Sequence, residues 1–274
     1  MKYIDTAYKL LYPYSRRVKV TASCRDADAI PKVEQAGEVI DGLQIMHNGI
    51  RIVPEQYGGA WMMDLIRNLR GHHEPQEEKA FYEMLPYFPP GAVMIELGSF
   101  WAYYSLWFYR CIEEARVHLI EPNPEKLATG LRNFEINELP PPVATKAAIG
   151  ATNDEAAGVL CLDEYIRTHA LDHVDLVHSD IQGAELKMLK GCASAIEDGR
   201  ISCFFISTHR GKHARCLAFL RERNYRIVVE HTLREGYAWE GLIVALSEDA
   251  DGPASVEISR RKVNVLARFL GGGR

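Results

Sequence analysis

The chain has 274 residues, 47% of them hydrophobic and 25% charged, a globular composition that supplies one large α/β domain or two small ones. Its 32 Lys and Arg stand against 37 Asp and Glu, and the net charge of −5 makes it a poor partner for a phosphate backbone, so no nucleic-acid partner is expected. No window approaches the ~18 apolar residues of a membrane span, the first 17 residues lack a signal-peptide core, and six cysteines without a C-x-x-C pair fit a reducing cytoplasm, with Cys161 and Cys203 read as small core residues.

Residues 1–30 show no clear period. In residues 38–53, Asp41-Gly42 and Asn48-Gly49 are hairpin-type dipeptides between apolar residues and predict a small β-meander. A helix follows over Ala60 to about Gly71. Pro75 with Glu77 and Glu78 predicts a second helix start, ending before Pro86. Gly71-His72-His73-Glu74 is dense in ligating groups, but it lacks metal-site spacing and reads more simply as the cap of that helix.

From residue 91 strand-like runs alternate with helical segments. The runs are 92–97, 116–121, 142–150, 174–180, 201–208, 225–231 and 240–246. Such alternation implies an α/β fold with a mostly parallel sheet and helices on both faces, and ligands then bind at the carboxyl ends of the strands.

Those ends carry the polar residues. The first run ends in Glu96-Leu97-Gly98-Ser99, where Gly98 permits a tight turn and close backbone approach, although G-x-G-x-x-G is absent. The second ends in Glu121-Pro122-Asn123-Pro124, an acidic residue about 20 positions on, as a ribose clamp requires. The fourth ends in Asp180, a catalytic or cofactor-positioning group or else a helix cap, with Glu185 expected in the first turn of the next helix. The fifth ends in His209, a candidate general base that titrates near neutrality; His213 and His231 have weaker claims.

Several strings in order resemble the FkbM family of S-adenosylmethionine-dependent methyltransferases. They are Glu74-Pro75 with Glu77, Ile95 to Ser99 with Tyr104-Ser105-Leu106, Glu121 to Pro124, Lys146 to Gly150, Leu162 to Ile166, and Val174-Asp175-Leu176 running through Asp180 to Gly191. The similarity spans about residues 70–246. The resemblance implies a class I methyltransferase (Rossmann-like) sheet of seven strands, the last antiparallel. Residues 1–70, which have no counterpart in the family, are expected to form an N-terminal extension covering the acceptor site, with 71–250 the methyltransferase domain and 251–274 a C-terminal tail.

It also implies cofactor contacts at Glu74, Glu96, Gly98, Ser99 and Ser105. Glu121 would hold the ribose, Asn123 and Ala148 would lie near the adenine, and Asp180 would sit beside the sulfonium. Ala102 stands where the family often has a second glycine, after the bulky Phe100 and Trp101. The implied reaction is O-methylation of a small natural product or sugar; the strand-end reading then makes His209 the expected base, with Asp180 orienting it or the acceptor. A variant places a divalent cation such as magnesium on Asp180 and His209. The competing readings are an NAD-dependent oxidoreductase, which the missing glycine fingerprint opposes, and a non-catalytic nucleotide-binding module. A homodimer through the N-terminal segment or the tail completes the expectations.

Overall fold

The computed structural model describes residues 14–54 and 56–261. Lys262, Arg268 and Arg274 of the basic tail and most of the N-terminal leader lie outside the described residues. Helix α1 (Tyr14–Thr21) leads into the expected meander, strands β1 (Val39–Ile40), β2 (Leu43–Ile45) and β3 (Arg51–Ile52), paired antiparallel in that order. Helices α2 (Ala60–Asn68) and α3 (Pro75–Met84) follow, α3 with Pro75 in its first turn.

The alternating part begins with β4 (Val93–Leu97), α4 (Tyr103–Cys111), β5 (Arg116–Ile120) and α5 (Pro124–Ile136). It continues with β6 (Val143–Thr145), β7 (Ala148–Ile149), β8 (Val159–Leu160), α6 (Leu162–Thr168), β9 (Val174–Ser179), α7 (Glu185–Lys190) and α8 (Ala193–Glu197). It closes with β10 (Ile201–Thr208), α9 (His213–Arg221), β11 (Arg226–His231) and β12 (Gly241–Leu246).

Seven of these strands form one sheet in the order β11-β12-β10-β9-β4-β5-β6. Only β12 runs against its neighbours β10 and β11; the other pairings are parallel. This is the class I methyltransferase arrangement that the sequence leads one to expect. The central strands are buried on both faces, which is why they read as near-continuous apolar runs. Alternate residues then divide between two cores. Met94, Leu176, Phe205 and Val244 face α3 and α4, while Ile95, Val177, Phe204 and Ile243 face the side of α6 to α9.

Two expectations need correction. The third strand is split at Lys146-Ala147: β6 pairs with β5, whereas β7 turns away to pair with β8. Ala147 and Ile149 thereby bury in the second core. Cys161 is only half-buried, because it precedes α6 at the surface end of the β8 ladder, whereas Cys203 is buried as expected.

The extension shares the first core. Met46, Ile50, Ile52, Met62, Leu65 and Ile66 pack in one cluster with Phe81, Trp107 and Phe134. Asn133, fully buried on α5, joins it to the turn after β4: its Oδ1 accepts the Val53 N–H at 3.0 Å and its Nδ2 donates to the Trp101 carbonyl at 2.9 Å. Asn133→Ala orphans both backbone groups and is expected to cost about 2–5 kcal/mol in urea denaturation, since each buried unsatisfied group costs roughly 1–3 kcal/mol. Residues 251–261 also dock rather than trail. Val256 N–H donates to the Val228 carbonyl at 3.1 Å, and Ser259 N–H donates to Asp26 Oδ2 at 2.8 Å. Among the described residues no helix is long and apolar enough to cross a membrane.

Candidate active site

Strand β4 lies between β5 on one side and β9 on the other, so the chain reverses its direction of travel across the sheet at β4. Crevices form at such points. The register aligns Leu97 with Ile120 and Ser179, and Ser179 with Ile206. Gly98, Glu121, Asp180 and His209 therefore follow neighbouring strands at one edge.

Gly98 is required there. Its φ is 71°, and a Cβ would fall on the Asp180 carbonyl oxygen, well inside van der Waals contact. Beside it the Ser99 and Ser105 hydroxyls are buried without a hydrogen-bond partner, as is Ser179 Oγ at the end of β9. Buried polar atoms normally have partners, so orphans gathered at a strand edge mark ligand positions. Glu96 accepts from the Ser105 N–H at 3.2 Å, and burial pushes its carboxyl up to about 7 against the pull of His178.

The turn departs from a glycine-rich loop in a specific way. Phe100 and Ala102 both occupy the left-handed region, at φ 40° and 58°. Such residues cost about 1–2 kcal/mol each, and packing holds them in place. Trp101 stacks on Tyr57 of the extension, ring centroids 4.2 Å apart and planes within 4°, and Tyr57 also meets Phe100 edge-on. The extension therefore braces the turn.

One strand over, Glu121 is buried and its Oε1 accepts the Asn123 N–H at 2.9 Å. Asn123 itself is exposed, and its Oδ1 caps α5 by accepting from the Glu125 and Lys126 N–H groups at 2.8 and 3.1 Å. Ala148 sits on β7, past the end of β6. Glu74 joins the site from the start of α3, taking a hydrogen bond from Tyr104 Oη at 3.3 Å and pairing with His73 Nε2 at 3.1 Å.

On the other side Asp180 and His209 come together. His209 Nε2 lies 3.5 Å from Asp180 Oδ1 and 3.2 Å from Glu240 Oε2, while its Nδ1 lies 2.9 Å from Glu185 Oε1. Gln182 Nε2 donates to Asp180 Oδ1 at 2.8 Å. Burial works against a charged imidazole here, yet Glu185, Glu240 and Asp180 together raise His209 to about 11. Its Nε2 also lies 3.1 Å from Gln182 Nε2. Asp180 moves the other way: burial, with Glu74 and Glu77 nearby, pushes it up to about 6 despite His209. An imidazole held in its charged form has no lone pair to accept a proton or bind a metal. Donor atoms of Asp180, His209 and Glu240 lie within 4.8 Å of one another, but the magnesium variant needs a neutral His209.

Three of these partners are invisible as such in the sequence. Glu185 and Glu77 look like helix-start acids, yet Glu77 is buried, with Oε1 2.7 Å from His178 Nε2 and Oε2 accepting from Ser207 Oγ at 2.7 Å. Glu240 precedes β12. Because β12 is antiparallel, its first residue Gly241 pairs with Thr208 at the end of β10, which sets Glu240 beside His209. An antiparallel last strand is the signal that would have found it.

The His72-His73 segment is a clamp. Glu78 Oε2 bonds His72 Nδ1, and Glu78 Oε1 lies 2.6 Å from His73 Nδ1. His47 comes close enough to share an ion with His72 and Glu78, but its ring stacks on His72 at 4.1 Å and 8°, so their lone pairs run parallel instead of converging. His213 bonds Thr208 and Glu230, and burial pushes His231 down to about 4.

Residues 155–227, the stretch that holds Asp180, Glu185 and His209, match the family model described as the Methyltransferase FkbM domain. Over that stretch the chain is similar to this family of S-adenosylmethionine-dependent methyltransferases. Among solved structures, the chain is similar to M. capricolum TrmK in complex with S-adenosyl-homocysteine, at 15% identity over 62% of this chain and 69% of that one, with a TM-score of 0.45. It is similar to precorrin-6y C5,15-methyltransferase from Geobacter metallireducens GS-15, at 16% identity over 63% and 87% of the two chains, TM-score 0.44. A third is the ribosomal protein L11 methylase of Lactobacillus delbrueckii subsp. bulgaricus, at 12% identity over 65% and 81%, TM-score 0.45. None of the three bears on the substrate of this chain. No curated protein matches the sequence.

Proposed function

We propose that this protein transfers the methyl group of S-adenosylmethionine to a hydroxyl of a small molecule, with Asp180 as the proton acceptor. The observation that carries the reading is the gathering at one strand edge of the Gly98 turn, the orphaned Ser99 and Ser105 hydroxyls, Glu121 on the neighbouring strand and Asp180 on the other. S-adenosylmethionine supplies a methyl carbon already activated by its sulfonium. The chain's own work is then alignment, exclusion of water and removal of one proton.

In this reading Glu96, Ser99 and Ser105 hold the methionine portion and Glu121 the ribose. Asp180 takes the acceptor's proton, since a carboxylate near neutrality is both charged and basic enough to accept. His209, oriented by Glu185, is a positioning residue that fixes Asp180 and stabilises its charge.

Calorimetric titration with S-adenosylmethionine, S-adenosyl-homocysteine and NAD, each with and without magnesium, tests the reading. Binding of both sulfur compounds supports it; binding of NAD alone overturns it. Glu121→Gln is expected to weaken S-adenosyl-homocysteine by about 10- to 100-fold, the worth of one or two charge-assisted hydrogen bonds. An unchanged Kd in that titration removes Glu121 from the ribose.

A further inference from the structure

Residues 232–240 join β11 to β12, and the last of them, Glu240, places its Oε2 3.2 Å from His209 Nε2. His209 also meets Asp180, Glu185 and Gln182, so its ring is approached from the end of β9, from α7 and from this connection. Paired antiparallel strands such as β11 and β12 can be joined by a tight turn. A longer connection leaves the side chain at its far end unplaced unless something fixes the backbone before it.

The fixing occurs one residue earlier. Trp239 has φ 73°. The left-handed region is an outlier for a bulky side chain, and glycine or asparagine fills such a position at less cost. A tryptophan stays there only where its surroundings over-determine it. Two guanidinium groups lie over its ring, that of Arg17 on α1 at 5.6 Å from the centroid and that of Arg261, beyond β12, at 4.9 Å. Arg261 is itself tied to the connection: its N–H donates to the Glu235 carbonyl at 2.9 Å and its Nε to the Arg234 carbonyl at 3.4 Å. Tyr237 donates its N–H to Gln76 Oε1 at 2.7 Å, and its carbonyl accepts from Thr21 Oγ1 at 2.8 Å. Gly236 closes the connection onto its own end, since a Cβ there would fall on the Glu240 carbonyl oxygen.

We propose that Trp239 is a positioning residue of the methyl-transfer site: its ring, gripped by Arg17 and Arg261, sets the backbone from which Glu240 reaches His209, and His209 in turn holds Asp180. This deepens the methyl-transfer reading and rests on it. Helix α1 and the segment after β12 thereby act on the proton-accepting carboxylate without touching it.

The test compares Trp239→Gly, Trp239→Phe, Arg261→Gln and Glu240→Gln with the unaltered full chain, reading the protonation of the His209 ring by histidine NMR and S-adenosyl-homocysteine binding by calorimetry. Glycine takes the left-handed backbone without strain and lacks only the ring. In Trp239→Gly, His209 is therefore expected to bind its proton about tenfold more weakly, the worth of one charge-assisted contact, while S-adenosyl-homocysteine binds as before. Glu240→Gln should do the same, and the two changes combined should exceed neither alone. Trp239→Phe, which keeps a ring for the guanidinium groups, should behave as the unaltered chain, and Arg261→Gln should move His209 in the direction of Trp239→Gly by a smaller factor. An unchanged His209 in Trp239→Gly overturns the proposal, as does an effect that adds in full to that of Glu240→Gln. Should Trp239→Gly not fold, Arg261→Gln carries the test, and an unchanged His209 there overturns the proposal equally. Failure of the unaltered chain to bind S-adenosyl-homocysteine is a different result, and it counts against the methyl-transfer reading itself.

Discussion

Asp180→Asn is expected to lower kcat by about 10²- to 10⁴-fold, the usual worth of a positioned general base, while S-adenosyl-homocysteine binds within about threefold of wild type. The pH profile makes this specific. A base acts when deprotonated, so wild-type turnover should rise as pH passes through about 6, the value to which burial lifts Asp180. That limb should vanish in the variant. His209→Ala offers the complementary reading. Removing the imidazolium that opposes the rise in Asp180 should carry the limb to higher pH without abolishing it. If His209 were the base, the residual rate of His209→Ala would be flat with pH, while Asp180→Asn would keep a pH-dependent limb. Measuring kcat against pH in the three proteins decides which group takes the proton.

The largest stability effect is expected from Glu78→Ala. Glu78 is fully buried and binds two imidazoles, and its Oε1 also accepts the His73 N–H at 3.0 Å. Breaking a buried ionic group by removing one partner costs about 3–5 kcal/mol, here measurable as a drop in the urea midpoint. The pH dependence has a definite sign. Glu78 is held well below the usual carboxylate range: burial works against its charge, but His72 and His73 outweigh it. Its contribution is therefore complete above its unfolded pKa and lost as pH falls through the folded value. His73 is raised to about 10 by Glu74 and Glu78, against the effect of its own burial, so its contribution is complete below about 6.5 and fades as pH rises toward 10. Both are in force between about pH 4.5 and 6.5, where the difference between wild type and variant should be greatest.

The sheet was legible because its central strands are buried on both faces, and burial writes itself as apolar runs such as Val93–Leu97 and Gly241–Leu246. Helix α5 opens on Pro124, while the capping role of Asn123 was not read from the sequence. Gly98 and Asp180 were legible because strand ends in such a sheet are few and ordered. What stayed hidden depends on pairings across the chain. The charge of His209 is set by acids at 180, 185 and 240, and no local pattern connects them. Glu77 and Glu185 satisfy the helix-dipole rule and the buried ion-pair role equally well as letters. The split between β6 and β7 turns on Ala147 and Ile149 finding the second core, a fact about packing rather than propensity.

The docking of residues 251–261 also bears on when the protein becomes itself. Helix α3, which carries Glu77 and follows Glu74, is held from outside by late parts of the chain. Gln76 Nε2 donates to the Ser259 carbonyl at 2.6 Å, and Gln76 Oε1 accepts the Tyr237 N–H at 2.7 Å. Glu240 arrives almost as late. A nascent chain can pair β4, β5 and β9 and build the Gly98 turn well before synthesis ends. Glu240 and the segment that latches onto Asp26, 233 positions away along the chain, are made only after these strands.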